Sequence, residues 1–145
     1  MIPRLLLVAT VPETLATILR CQPRYLAKYF QVKLVTSPGD SVVQVVHNEG
    51  LEIAQVPMAR GISLLRDLIS VVPMLWDIRA YRPTIVHSYT PKAGLVCMLA
   101  AWLCRVPIRV HTFTGLISPT VIGMKQQLLI WVDRLICACA THIVP

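Results

Sequence analysis

Residues 84–115 read TIVHSYTPKAGLVCMLAAWLCRVPIRVHTFTG. A short apolar run, Ile85 and Val86, leads into the polar series His87, Ser88, Tyr89, Thr90, Pro91 and Lys92. Residues 93–104 are apolar at helical length, and residues 108–112 return to a β-branched run before a second polar loop. This is a strand, a helix and a second strand, the pattern of a crossover between parallel strands. In open parallel sheets ligands bind outside the carboxyl ends of the strands, so the two polar loops are expected to line one crevice.

The same alternation extends outward in both directions. Residues 5–9 suit a central parallel strand, closed by Thr10, Val11 and Pro12. Residues 14–29 are helical in pattern, with a kink or a restart expected at Pro23, which lacks an amide donor and crowds the carbonyl of Leu19. A second strand covers 32–36 and ends at Ser37, Pro38 and Gly39; Asp40 or Ser41 caps a short helix to Asn48, and Gly50 stops it. Residues 51–56 alternate like a more exposed strand, and after the 57–61 loop residues 62–81 form a long helix with a kink expected at Pro73. Strand four is 84–87, helix four 93–104 and strand five 108–112. A loop runs to Thr120, helix five spans 123–140 with Leu128, Leu129, Val132, Leu135 and Ile136 on one stripe, and 141–144 open a sixth strand. The expected class is α/β, a doubly wound, mostly parallel Rossmann-like sheet of about six strands. A chain that stops inside a core strand reads as the front portion of a longer protein, one domain over 1–145 lacking its last strand.

Composition fits that reading. The chain has 145 residues, 55% hydrophobic and 14% charged, enough to bury one domain's core. Residues 62–78 are interrupted by Arg66, Asp67, Pro73 and Asp77, and 93–104 is too short for a span of about 20 residues. Both read as buried helices. Arg4 and the short run behind it do not make a signal peptide, so a cytoplasmic chain is expected. Five cysteines, Cys21, Cys97, Cys104, Cys137 and Cys139, show no disulfide-scaffold spacing and read as free core thiols. Cys137, Cys139 and His142 lack a fourth ligand in a hydrophobic context, so no metal site is expected. The net charge of +7 favours phosphate or anionic lipid; nucleic acid is not expected, because the bases are scattered singly and the nine aromatics do not interleave with them.

The run Leu7 to Pro12, the run Val56 to Ser63, IVHSYTPKAG and VPIRVHTFTG together resemble the N-terminal domain of the GT-B glycosyltransferases of family 4, more narrowly the bacterial members that build capsule, O-antigen and other surface polysaccharides. The resemblance implies two facing Rossmann-like domains. The nucleotide-sugar donor is expected on a C-terminal domain absent from this chain, which would be the acceptor half and hold no cofactor of its own. The implied partners are a saccharide or polyprenyl-diphosphate-linked acceptor, an anionic membrane surface on the inner face, and the missing or separate donor-binding domain. Two alternatives stay open: a non-catalytic acceptor or membrane-docking subunit of a split glycosyltransferase, and another GT-B enzyme such as a sugar-nucleotide 2-epimerase.

Candidate site residues follow from the strand-end loops. Lys92 and the amides of Ala93 and Gly94, behind Thr90, open helix four and could contact an acceptor phosphate or donor diphosphate. The competing reading is that Thr90 and Pro91 cap a helix and Lys92 is solvated. His111, Thr112, Thr114 and Gly115 offer donors, acceptors and close backbone approach to a sugar, with His111 a catalytic candidate beside Glu13; a core histidine is the alternative for His111. Thr10 and Glu13 follow strand one, and Glu13 is the candidate base towards an acceptor hydroxyl, against a plain helix-dipole acid. Arg60 is a candidate anion contact, against a solvated surface arginine. His87 reads as structural. Where the family often has histidine this chain has Tyr89, which can hydrogen-bond or stack but cannot take up a proton near neutral pH. Arg20, Arg24 and Lys28 recur at four-residue spacing beside Tyr25, Leu26 and Tyr29, giving either a basic membrane-facing strip or an ordinary solvated face.

Overall fold

The apolar run behind Arg4 forms β1 (Arg4–Val8), whose residues Leu5 to Val8 are all buried. The computed structural model describes residues 2–17, 19–58, 64–113 and 123–144. After β1 come α1 (Pro12–Ala16), α2 (Gln22–Leu26), β2 (Gln31–Thr36), α3 (Ser41–Glu49), β3 (Glu52–Gln55), α4 (Leu64–Tyr81), β4 (Ile85–Ser88), α5 (Pro91–Leu103), β5 (Ile108–Thr112), α6 (Met124–Cys139) and β6 (His142–Val144). The strands make one six-stranded sheet in the order β3-β2-β1-β4-β5-β6, parallel at every pairing. Leu5 lies opposite Val32 on one side and Ile85 on the other, so β1 is sandwiched between strands and must be apolar on both faces.

Each face buries its own core. Leu6, Val8, Val35 and Val86 pack with Met74 and Ile78 of α4, Val96, Cys97 and Met98 of α5, and Ile136 of α6. Leu5, Leu7 and Leu34 pack on the other face with Leu15, Leu19 and Val45, beneath α1 to α3. Because β2 and β3 extend the sheet to one side of β1 while β4 to β6 extend it to the other, right-handed crossovers put the first three helices and the last three on opposite faces. α5 is apolar around its whole circumference because it is flanked by α4 and α6 above the sheet, which accounts for a hydrophobic helix of 13 residues without a membrane.

Several expectations need correction. Of the two expectations for residues 14–29 the restart holds: the break falls at Cys21, in the left-handed region at φ 69, and Pro23 stands in the first turn of a new helix, where its missing amide costs nothing. The buried carboxylate of Glu49 on α3 accepts from the amides of Cys21 (2.8 Å) and Arg24 (2.9 Å), capping α2 from a distant element. In consequence Arg20, Arg24 and Lys28 do not share one helical face, since α2 holds only Arg24 of the three. The long helix expected over 62–81 is present as α4, with Pro73 inside it. Cys97 and Cys139 are buried, but Cys21 and Cys137 are exposed rather than core thiols. Of the α6 stripe, Leu129 and Ile136 are buried and Leu135 is exposed. β3, as its alternation suggested, is the half-exposed edge strand, and Gly50 ends α3 at φ 65, where a side chain would be strained.

Candidate functional site

The strand order reverses between β1 and β4, and the helices that follow them leave towards opposite faces, so a crevice opens at their carboxyl ends. Thr10 and Thr90 bridge this point. The Thr10 amide donates to Thr90 Oγ1 (3.1 Å), the two hydroxyls hydrogen-bond each other, and the Ala93 amide donates to Thr10 Oγ1 (3.1 Å). The Gly94 amide donates to the Thr90 carbonyl (2.7 Å). Both amides suggested as anion donors therefore have protein acceptors, and the start of α5 is tied to the end of β1.

Lys92 is not solvated. Its Nζ reaches both carboxylate oxygens of Asp67, at 2.8 and 2.7 Å, with the Asp67 side chain 4% exposed. The pair staples α5 to α4, and removing one partner of so buried a pair would leave an uncompensated charge.

His111 is wholly buried. Its Nδ1 pairs with Ser88 Oγ at 2.7 Å, and its ring meets Phe113 edge-on with centroids 4.6 Å apart. Its Nε2 has no hydrogen-bond partner among the described residues. A Cβ on Gly94 would come within 2.4 Å of His111 Cε1, so glycine is required where α5 crosses β5. Burial, with His87 nearby, pushes the imidazole down to about 4.

On the opposite face a polar row crosses the switch point. Gln22 Nε2 donates to the Tyr89 hydroxyl (3.2 Å), which lies 3.3 Å from His87 Nδ1, and His87 Nε2 lies 2.7 Å from Thr112 Oγ1. One assignment serves all four: Tyr89 donates to Nδ1 and Nε2–H donates to Thr112. The Tyr89 and His87 rings stack at 4.2 Å. Burial holds His87 at about 4 and raises Tyr89 to about 12, so neither changes charge near neutrality.

Beside this point lies an open crevice of about 750 Å³ at the ends of β1, β2 and β3. Its walls come from Val11 to Glu13, Ser37 to Asp40, Pro57, Met58, and Arg66, Ile69 and Ser70 of α4. Ser41 Oγ donates to Glu13 Oε1 at 3.5 Å. Sequence reasoning missed Arg66 and Asp40 as crevice residues. The signal for Arg66 was its isolation in an apolar stretch, which was read only as an interruption of a membrane span. Arg60, Thr114 and Gly115 lie outside the described residues.

The structure thus joins Thr10, Thr90 and Ala93 in one cluster, Tyr89 and Thr112 in another, and His111 with Gly94. Lys92 is set apart with Asp67, and Glu13 in the crevice. The TPKAG corner and the start of HTFTG share one rim, since Ser88 and His111 are register partners.

A family model described as a glycosyl transferase 4-like domain matches residues 16–145. The chain is 39% identical over 118 residues to the capsular polysaccharide biosynthesis glycosyltransferase CapM of Staphylococcus aureus, covering 81% of this chain and 30% of that protein. It is 27% identical over 88 residues to the UDP-Gal:alpha-D-GlcNAc-diphosphoundecaprenol alpha-1,3-galactosyltransferase of Escherichia coli, covering 60% of this chain and 23% of the relative. The chain therefore spans less than a third of the curated relatives it matches. Among solved structures, Acinetobacter baumannii MurG superposes with a TM-score of 0.69 at 11% identity, over 97% of this chain and 40% of that one. A Rickettsia bellii UDP-N-acetylglucosamine 2-epimerase superposes at 0.73 and 10% identity, over 99% and 39%. At such identities these two show the fold alone.

Proposed function

Because the chain belongs to the glycosyl transferase 4-like family, we propose that it is the acceptor-side portion of an enzyme that moves a sugar from a nucleotide-sugar donor to a growing saccharide in surface-polysaccharide synthesis. The acceptor in this reading is carried on a polyprenyl diphosphate at the inner membrane face, as the name of the Escherichia coli relative suggests for that protein. The donor is held by a facing domain outside these residues, and the chain works on the cytoplasmic side.

The observation that carries the reading is the crevice that gathers Glu13 and Arg66 at the carboxyl ends of β1 to β3. Sugar transfer needs a base near the attacking hydroxyl and positive charge near diphosphate. Glu13, exposed at the rim, is the proposed base towards a sugar hydroxyl. Arg66 is the proposed diphosphate contact. Thr10 and Thr90 hold the rim rigid, because their hydroxyls pin α5 to β1. His111 is a positioning residue that sets the approach of α5 to β5; being neutral and buried, it transfers no proton to water. Thr112 and Tyr89 shape the side of the rim next to β5.

The test is transfer of labelled sugar from a panel of nucleotide sugars to a polyprenyl-diphosphate saccharide, by the parent enzyme or by this chain together with its donor-binding half. Glu13→Gln should lower kcat by about 10²- to 10⁴-fold. Arg66→Gln should chiefly raise the acceptor KM. Nucleotide-sugar epimerisation with no acceptor present would replace this reading with the epimerase one.

A further inference from the structure

α4 is apolar on two opposite faces. Val71, Met74 and Ile78 are buried in the core, whereas Leu65, Leu68, Ile69, Val72 and Trp76 form a second row 54 to 73% exposed. Their spacing of three and four residues puts all five on one side, away from the sheet. A helix apolar all round is ordinarily covered all round, so the second row calls for an apolar medium.

The charges of α4 say which medium. Its two acids are withdrawn into ion pairs, Asp67 with Lys92 at 2.7 Å and Asp77 with Lys33 at 3.6 Å. The charges left exposed on the helix are Arg66 and Arg79. A row of leucines and valine with tryptophan at its far end and arginines beside it matches a helix lying in the headgroup region of an anionic bilayer. From Leu65 to Trp76 the strip is about 17 Å long and about 10 Å wide. That is far below the roughly 800 Å² each partner contributes to a stable protein interface. The row also begins at the crevice, where Arg66 and Ile69 are lining residues.

We propose that the exposed row of α4 seats the protein on an anionic membrane surface, so that the crevice opens at the depth of the lipid headgroups. This rests on the acceptor reading above for its purpose, though not for its geometry. It also moves membrane contact to the face opposite α2, where the Arg20, Arg24 and Lys28 strip had been expected.

The experiment uses the chain with Trp102→Phe and Trp131→Phe, leaving Trp76 as sole tryptophan, mixed with vesicles of phosphatidylglycerol and phosphatidylcholine. Trp76 emission should shift to the blue and be quenched by brominated acyl chains. With the wild-type chain, Leu65→Gln/Leu68→Gln/Val72→Gln should lower flotation with these vesicles at least about tenfold, while circular dichroism and melting stay unchanged. Arg24→Glu/Lys28→Glu should have little effect. Unshifted Trp76 emission overturns the proposal, as does flotation lost only with the α2 variant. A vesicle-free dimer that the α4 variant abolishes overturns it in favour of a second copy. No donor or acceptor is present, so failure here leaves the sugar-transfer reading untouched, and vesicle binding without any transfer activity leaves this surface standing while that reading falls.

Discussion

Gly94 shows how much one missing atom decides. The helix that opens with TPKAG can lie close on β5 because nothing projects at residue 94, and the His111 ring fills the space. Gly94→Ala should cost about 1–3 kcal/mol through overpacking, read as a lower urea midpoint at unchanged slope. Replacing His111 by Ala in the same chain should recover part of the loss. If the two effects simply add, the contact is not what constrains residue 94. The glycine was visible in the sequence as a loop residue giving backbone access. That it faces a histidine 17 positions later was not, because helix propensity and strand pattern say nothing about which residue lies beneath which.

At the scale of elements, the junction of α4 and α5 depends on the Lys92 and Asp67 pair. Lys92→Met should destabilise by about 3–5 kcal/mol, since it strands a carboxylate that is 4% exposed. Lys92→Met/Asp67→Leu should be far milder, and a double variant as unstable as the single one would rule the account out. Helix and strand order was legible from periodicity and from Pro and Gly punctuation, and the six strands fall where the alternation put them. The restart within residues 14–29 has a tertiary cause as well as Pro23. Helical pattern runs through Cys21, yet Glu49 supplies a cap for a fresh helix from 28 residues away, and one tertiary carboxylate outweighs local propensity.

The whole molecule carries two neutral histidines on opposite faces of the sheet near the switch point, His87 and His111, both at about 4 against an ordinary 6.5. The unfolded chain takes up protons first as pH falls, so their contribution is fully present above about 6.5 and is lost progressively towards about 4. Stability measured by denaturant should be level above pH 6.5 and decline from there to pH 5, with a shallower decline in His111→Gln. A flat profile through that window would mean the rings are not held neutral by burial. No helix among the described residues is long and apolar enough to cross a membrane; the apolar surplus of this chain goes instead into two cores and the outer row of α4.

By itself the sequence determined the α/β alternation, the parallel sheet and the family. Each of these rests on side-chain period, on chain-breaking residues and on motifs contiguous along the chain. Only the tertiary structure decided which polar groups remain available. The Ala93 amide and Lys92 were open to a ligand on paper, yet Thr10, 83 positions away, and Asp67, 25 positions away, take them. Arg66 gained a place in the crevice by the converse route. Hydrogen-bond and ion-pair partners between residues remote in sequence are set by strand order and helix packing, and no local pattern encodes the distance at which they meet.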